Sequence, residues 1–138
     1  MSDGQPSGLL LAEANTDVAK ALGLYLEQFP GLRLLAHVWC MQPLLLALAE
    51  QQPHLLLLDW NLPGFTHHTG LALLRAACPA LYIIGMGSDV RAETTALVMG
   101  ANAFVGKSES VGKLTHVLTQ AIAHVTQANF TSVLKALA

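Results

Sequence analysis

The sequence predicts an α/β domain in which helices cover both faces of a parallel sheet. Three observations carry that prediction. Short apolar runs alternate with amphipathic stretches along the chain. The runs are nearly continuously apolar, as strands buried on both faces must be. Pro, Gly and capping residues keep the connections short. Five such strand–helix units in about 120 residues imply right-handed crossovers and one doubly wound sheet.

GLLLA (8–12) is the first strand and ends at Glu13. Asn15, Thr16 and Asp17 are N-cap types, and Val18, Leu22, Tyr25, Leu26 and Phe29 then recur at helical spacing. Pro30-Gly31 stops that helix, and LRLLAHV (32–38) is the second strand. Pro43 suits the first turn of a helix running to about Gln51. The third strand, 54–58, follows Pro53 and ends at Asp59. Beyond a loop over 59–69, GLALLRAAC (70–78) is a short helix stopped by Pro79. LYIIG (81–85) is the fourth strand. Ser88 or Asp89 caps a helix that ends near Gly100, a C-terminal capping glycine. AFVG (103–106) is the fifth strand. Ser110 caps the last helix, whose stripe is Val111, Leu114, Val117, Leu118 and Ile122.

One domain over 1–125 accounts for these elements. The tail over 126–138 carries Phe130, Val133, Leu134 and Leu137 at helical spacing. It reads equally as a segment packing back, a pairing helix or a linker. The chain has 138 residues, 53% hydrophobic and only 12% charged. No apolar run is long enough to cross a bilayer, and the polar start MSDGQPSG is unlike a signal peptide, so a cytoplasmic protein is expected. Cys40 and Cys78 read as reduced thiols. A net charge of -2 with no Lys/Arg cluster argues against this chain gripping nucleic acid directly. So much aliphatic content with so little charge leans towards an apolar surface covered in a homodimer.

Parallel strands gather the residues just past their carboxyl ends at one edge, where open α/β sheets bind ligands. Those residues are Glu13, Asp59, Gly85 to Gly87 and Lys107. Two carboxylates and an ammonium there suit phosphoryl transfer. A carboxylate can be the nucleophile, a second can help hold Mg²⁺, and a lysine can stabilise phosphoryl oxygens.

Here the chain resembles the receiver domain of bacterial two-component response regulators, from about Gly8 to Val125. LLLAEAN resembles that family's first strand and acidic end, PHLLLLDWNLPG its phosphoacceptor strand and loop, and MGANAFVGK its fifth-strand segment. KSES resembles regulators with a helix-turn-helix output domain. The resemblance implies a flavodoxin-like sheet in the order 2-1-3-4-5 with five flanking helices. It implies Asp59 as phosphoacceptor, Lys107 as phosphate contact, and Glu13, Asp59 and the Asn61 carbonyl as Mg²⁺ ligands. Phe104 then stands at the aromatic switch position, and Gly85, counted 22 residues before Lys107, at the switch hydroxyl position. The implied partner is a sensor histidine kinase or a phosphotransfer protein. A DNA-binding output domain beyond Ala138 and pairing through the fourth and fifth helices are also implied.

Two departures weaken that pattern. Ala14 stands where the family has a second acid, which thins the Mg²⁺ site. Gly85 offers no hydroxyl to a phosphoryl group, and Met86 beside it is larger than usual. The expected function is therefore a phosphorelay receiver, not an enzyme, with weak or absent Mg²⁺ binding. The alternative is a pseudo-receiver that works by dimerisation or protein contact without phosphate. A small phosphatase-like or nucleotide-binding enzyme fits less well, because GMGSD (85–89) lacks the third glycine and first-strand placement of a nucleotide-binding turn. Adjacent His67 and His68, in the unusually long loop GFTHHTG, read as solvated residues or as replacement metal ligands. Trp39 and Trp60 read as packing residues.

Overall fold

Four leucines in a row, Leu55 to Leu58, are fully buried because helices close both faces of the sheet they occupy. The computed structural model describes residues 5–137, so MSDG and Ala138 of the expected N-terminal start and tail lie outside them. In chain order the elements are β1 (Ser7–Ala12), α1 (Thr16–Glu27), β2 (Leu32–Val38), α2 (Met41–Gln51), β3 (Leu55–Asp59) and α3 (His67–Ala77). They continue with β4 (Tyr82–Gly87), α4 (Ala92–Met99), β5 (Ala103–Gly106) and α5 (Val111–Leu137). The strands are all parallel in the order β2-β1-β3-β4-β5, the flavodoxin-like arrangement.

Strand alternation sorts the core into two layers. Leu9, Leu11, Leu55, Leu57, Ile84 and Met86 face α1 and α5. Leu10, Leu56, Leu58, Ile83 and Phe104 face α2, α3 and α4. Each buried leucine contributes about 1.5–3 kcal/mol. The order reverses between β1 and β3, so a crevice opens beyond their carboxyl ends.

Several local expectations need correction. β4 runs to Gly87, not Gly85, because Met86 and Gly87 go on pairing with Val105 and Gly106. β3 includes Asp59, which pairs with Met86. α3 starts at His67 rather than 70, so His67 and His68 sit in its first turn and not in a long loop. The N-cap of α4 is Arg91, with the Asp89 carboxylate accepting from the Arg91 N–H. Trp39 is exposed, edge-on to His37, whereas Trp60 is buried. The caps read at Asn15 and Ser110 are present: Asn15 Oδ1 accepts from Val18 N–H at 3.1 Å, and Ser110 Oγ from Lys113 N–H at 3.3 Å. Gly100 ends α4 at φ +117°, open to glycine at little cost. α5 continues unbroken past residue 125 to Leu137, and its last buried residue is Val125.

Candidate functional site

Glu13, Asp59 and Lys107 stand at the carboxyl ends of β1, β3 and β5, and the sheet, with β4 between β3 and β5, brings them to one edge. Glu13 N–H donates to Val38 O, Trp60 N–H to Met86 O, and Lys107 N–H to Gly87 O, so the ladders hold the backbone up to the edge. By alternation all three side chains lie on the α1/α5 side, as do Leu11, Leu57 and Val105 two residues before them. Lys107 Nζ lies 3.3 Å from Asp59 Oδ1. It also lies 3.0 Å from Glu13 Oε1 and 3.2 Å from Oε2, the latter in hydrogen-bonding geometry. Asp59 Oδ1 accepts a second bond from Asn61 N–H at 2.9 Å, and Glu13 Oε2 one from Asn15 N–H at 3.0 Å. His37 Nε2 lies 2.9 Å from the Glu13 carbonyl oxygen, fixing the strand end from β2.

The two carboxylates are almost fully buried while Lys107 is a quarter exposed. Two negative charges and one positive leave a net charge of -1 in a low-dielectric setting. Glu13 Oε1 receives no directed hydrogen bond. That orphaned oxygen and the charge excess fit a hard cation, although Glu13, Asp59 and a carbonyl supply only three of the six oxygens Mg²⁺ prefers. Among the described residues, no three His, Cys, Asp or Glu side chains gather to hold a metal ion. The His67 ring stacks on Trp60 at 4.5 Å, and its Nε2 meets the Trp60 carbonyl oxygen at 2.8 Å.

The residue beside Asp59 is Met86, not Gly85. Met86 pairs with Asp59 in the ladder and lies in the α1/α5 layer, bordering a cavity of about 190 Å³ that Lys107 also lines. Gly85 pairs with Leu58, and both Gly85 and Gly87 turn towards the opposite layer. A Cβ on Gly85 would stand 3.0 Å from Phe104 Cδ2 and 3.2 Å from Trp60 Cε3. A Cβ on Gly87 would stand 2.8 Å from Phe104 Cζ. Gly85, counted back from Lys107, thus lies against Phe104, and strand parity places Met86 beside Asp59.

Those two glycines give Phe104 its seat. The ring is buried, perpendicular to Trp60 at 6.1 Å, and Trp60 in turn meets Phe65 edge-on at 5.4 Å. Glu109, unremarked in the sequence, caps the turn after β5, where its Oε1 accepts from Gly106 N–H at 2.7 Å. Asp89 lines a cleft of about 250 Å³ with Trp60, His67 and Ser88. Hydrogen bonds from Arg91 hold the Asp89 carboxyl below its ordinary range.

No protein-family model and no curated protein matches this sequence. Solved structures do. A LuxR-family two-component response regulator from Aurantimonas sp. SI85-9A1 superposes with a TM-score of 0.77 at 20% identity, over 87% of each chain. A LuxR-family DNA-binding response regulator from Staphylococcus aureus matches with a TM-score of 0.74 at 21% identity, over 84% of this chain and 98% of that one. The signal receiver domain of a modulated diguanylate cyclase from Desulfovibrio desulfuricans G20 gives 0.74 at 22% identity, over 90% and 99%. The chain thus has the fold of the receiver domains of two-component regulators. Among the described residues no helix is long and apolar enough to cross a membrane.

Proposed function

We propose that this chain is the receiver module of a phosphorelay, taking a phosphoryl group on Asp59 from a sensor histidine kinase or a phosphotransfer protein. One observation carries the reading: a buried carboxylate at the switch point of the sheet, held by Lys107 Nζ at 3.3 Å and by Asn61 N–H at 2.9 Å. In the transfer, an Asp59 oxygen attacks phosphorus, the phosphorus–nitrogen bond to the donor imidazole breaks, and the freed imidazole takes a proton from water. Lys107 meets the added phosphoryl oxygens as a point charge. Mg²⁺ would be held by Glu13, Asp59 and the Asn61 carbonyl, supplying further neutralisation of those oxygens. With Ala14 beside Glu13, its binding is weak. The domain is on this reading a carrier rather than an enzyme, acts in the cytoplasm as a homodimer, and leaves any DNA contact to an output domain.

A second reading is favoured by Phe104. The ring is already seated inward on Gly85 and Gly87, and Met86 rather than a hydroxyl stands beside Asp59. A receiver set in this way needs no phosphate to draw the aromatic in, and would act as a constitutive interaction module. Intact mass after incubation with Mg²⁺ and acetyl phosphate separates the two. The first reading expects one phosphoryl adduct that Asp59→Asn abolishes. Absence of an adduct, under conditions that label an ordinary receiver, would sink it in favour of the second.

A further inference from the structure

We propose that His54 is an acid-sensitive latch at the amino edge of the sheet, where its neutral ring ties β1 to the outer half of α5 and protonation releases both. The latch lies at the edge opposite the phosphoacceptor and does not depend on that reading.

His54 precedes β3 and is gripped through its backbone, whose N–H donates to Gly8 O at 3.0 Å and whose carbonyl accepts from Tyr82 N–H at 2.9 Å. The side chain then turns back on β1, where Nδ1 accepts from the Gly8 N–H at 3.2 Å. A ring nitrogen that accepts carries no proton, so the proton of the neutral ring sits on Nε2. Nε2 faces the Asn129 side-chain amide at 3.5 Å, and the amide oxygen is the group that suits such a donor. Asn129 belongs to the exposed stretch of α5 beyond Val125, the helix's last buried residue. Cavities of about 730 Å³ and about 270 Å³ both border His54 and Asn129, so their contact spans otherwise open space.

Protonation turns Nδ1 from acceptor to donor. The ring then sets one N–H against another, and the part-buried Gly8 N–H loses its partner. Other rings do not share this conflict. His37 and His67 meet the carbonyl oxygens of Glu13 and Trp60, to which a charged ring donates as readily as a neutral one. Nor do the surroundings of His54 offer an imidazolium a counter-charge. The titratable groups packed around it are His124 on α5, whose ring lies 5.1 Å from that of Tyr82 on β4, and Cys78 at the end of α3. Arg33, the ladder partner of Gly8 on β2, is exposed and of like charge. Among the described residues, no Asp or Glu lines either cavity. The released ring binds one proton more than the latched one. The latch therefore holds above the ordinary imidazole value of about 6.5 and is lost as pH falls through that range.

Long-range proton–nitrogen NMR of the imidazoles in the full chain, from about pH 8 down to about pH 5, tests this. At the upper end His54 Nδ1 should carry no proton. On acidification the Gly8 backbone and Asn129 side-chain amide signals should move with the midpoint of the His54 ring. Protection of the Gly8 amide against hydrogen exchange should fall about tenfold further than that of Leu10. The urea denaturation midpoint should fall over the same range. His54→Gln, whose amide oxygen accepts from Gly8 at either pH, should remove most of that fall, while His124→Gln keeps it. A proton on Nδ1 near neutral pH, or Gly8 and Asn129 signals indifferent to the His54 titration, would overturn the proposal whether or not the variants fold. A fall in midpoint that persists undiminished in His54→Gln would overturn it equally.

Discussion

Lys107 serves two buried carboxylates at once, and its removal would leave Glu13 and Asp59 facing each other without a cation. Breaking a buried pair by removing one partner costs about 3–5 kcal/mol. The exposed flank of Lys107 sets the expected loss for Lys107→Ala near the lower end of that range. Urea denaturation measures it, and Glu13→Gln in the same background should restore part of the stability by removing one of the stranded charges. Unchanged stability in Lys107→Ala would mean that water already screens the cluster. All three members were legible in the sequence, because an acid or lysine directly after an apolar strand has one edge to occupy. Met86 was legible as a bulky residue at that edge, but its pairing with Asp59 is fixed only by the ladder between β3 and β4.

The parallel pair β4 and β5, joined through α4, holds Phe104 by shape alone. Gly87→Ala would put a Cβ 2.8 Å from Phe104 Cζ, closer than the ring can tolerate without moving. The expected cost is about 1–3 kcal/mol, as for overpacking elsewhere. Displacing the ring should also shift the emission of Trp60, which it abuts, and Phe104→Leu should relieve much of the cost in the double variant. If Gly87→Ala melts like the parent with unchanged fluorescence, the seat is not tight. The existence of all ten elements could be read from apolar runs and breakers, since Pro30, Pro53, Pro79 and Gly100 fall between them. Boundaries at β4 and α3 could not. Met86 and Gly87 carry no strand preference of their own and are held by pairing with β5. His67 and His68 enter α3 where His67 stacks on Trp60, a contact between residues seven apart that no local pattern encodes. Aromatic content alone also fails to distinguish buried Trp60 from exposed Trp39.

Across the whole molecule, alkaline pH should erode stability. Burial pushes the Cys78 thiol and the Tyr82 phenol above their ordinary values of 9.0 and 10.0. Each group keeps its proton to higher pH in the folded chain than in the unfolded one. Its contribution is therefore complete below the unfolded value and is lost as pH rises from there towards the folded value. Denaturation midpoints should begin to fall near pH 9.0, where the thiol's ordinary range begins, and Cys78→Ala should delay the onset to the region where Tyr82 titrates. A midpoint flat through that range would contradict the assignment. The central strands have a different consequence, one of timing during synthesis. Leu9 pairs with Leu55, far along the chain, and β3 needs β4 on its other side. A nascent chain therefore carries LLLL unshielded until residues beyond Gly87 have left the ribosome, and it is in that interval, rather than once folded, that copies of this protein are most prone to aggregate.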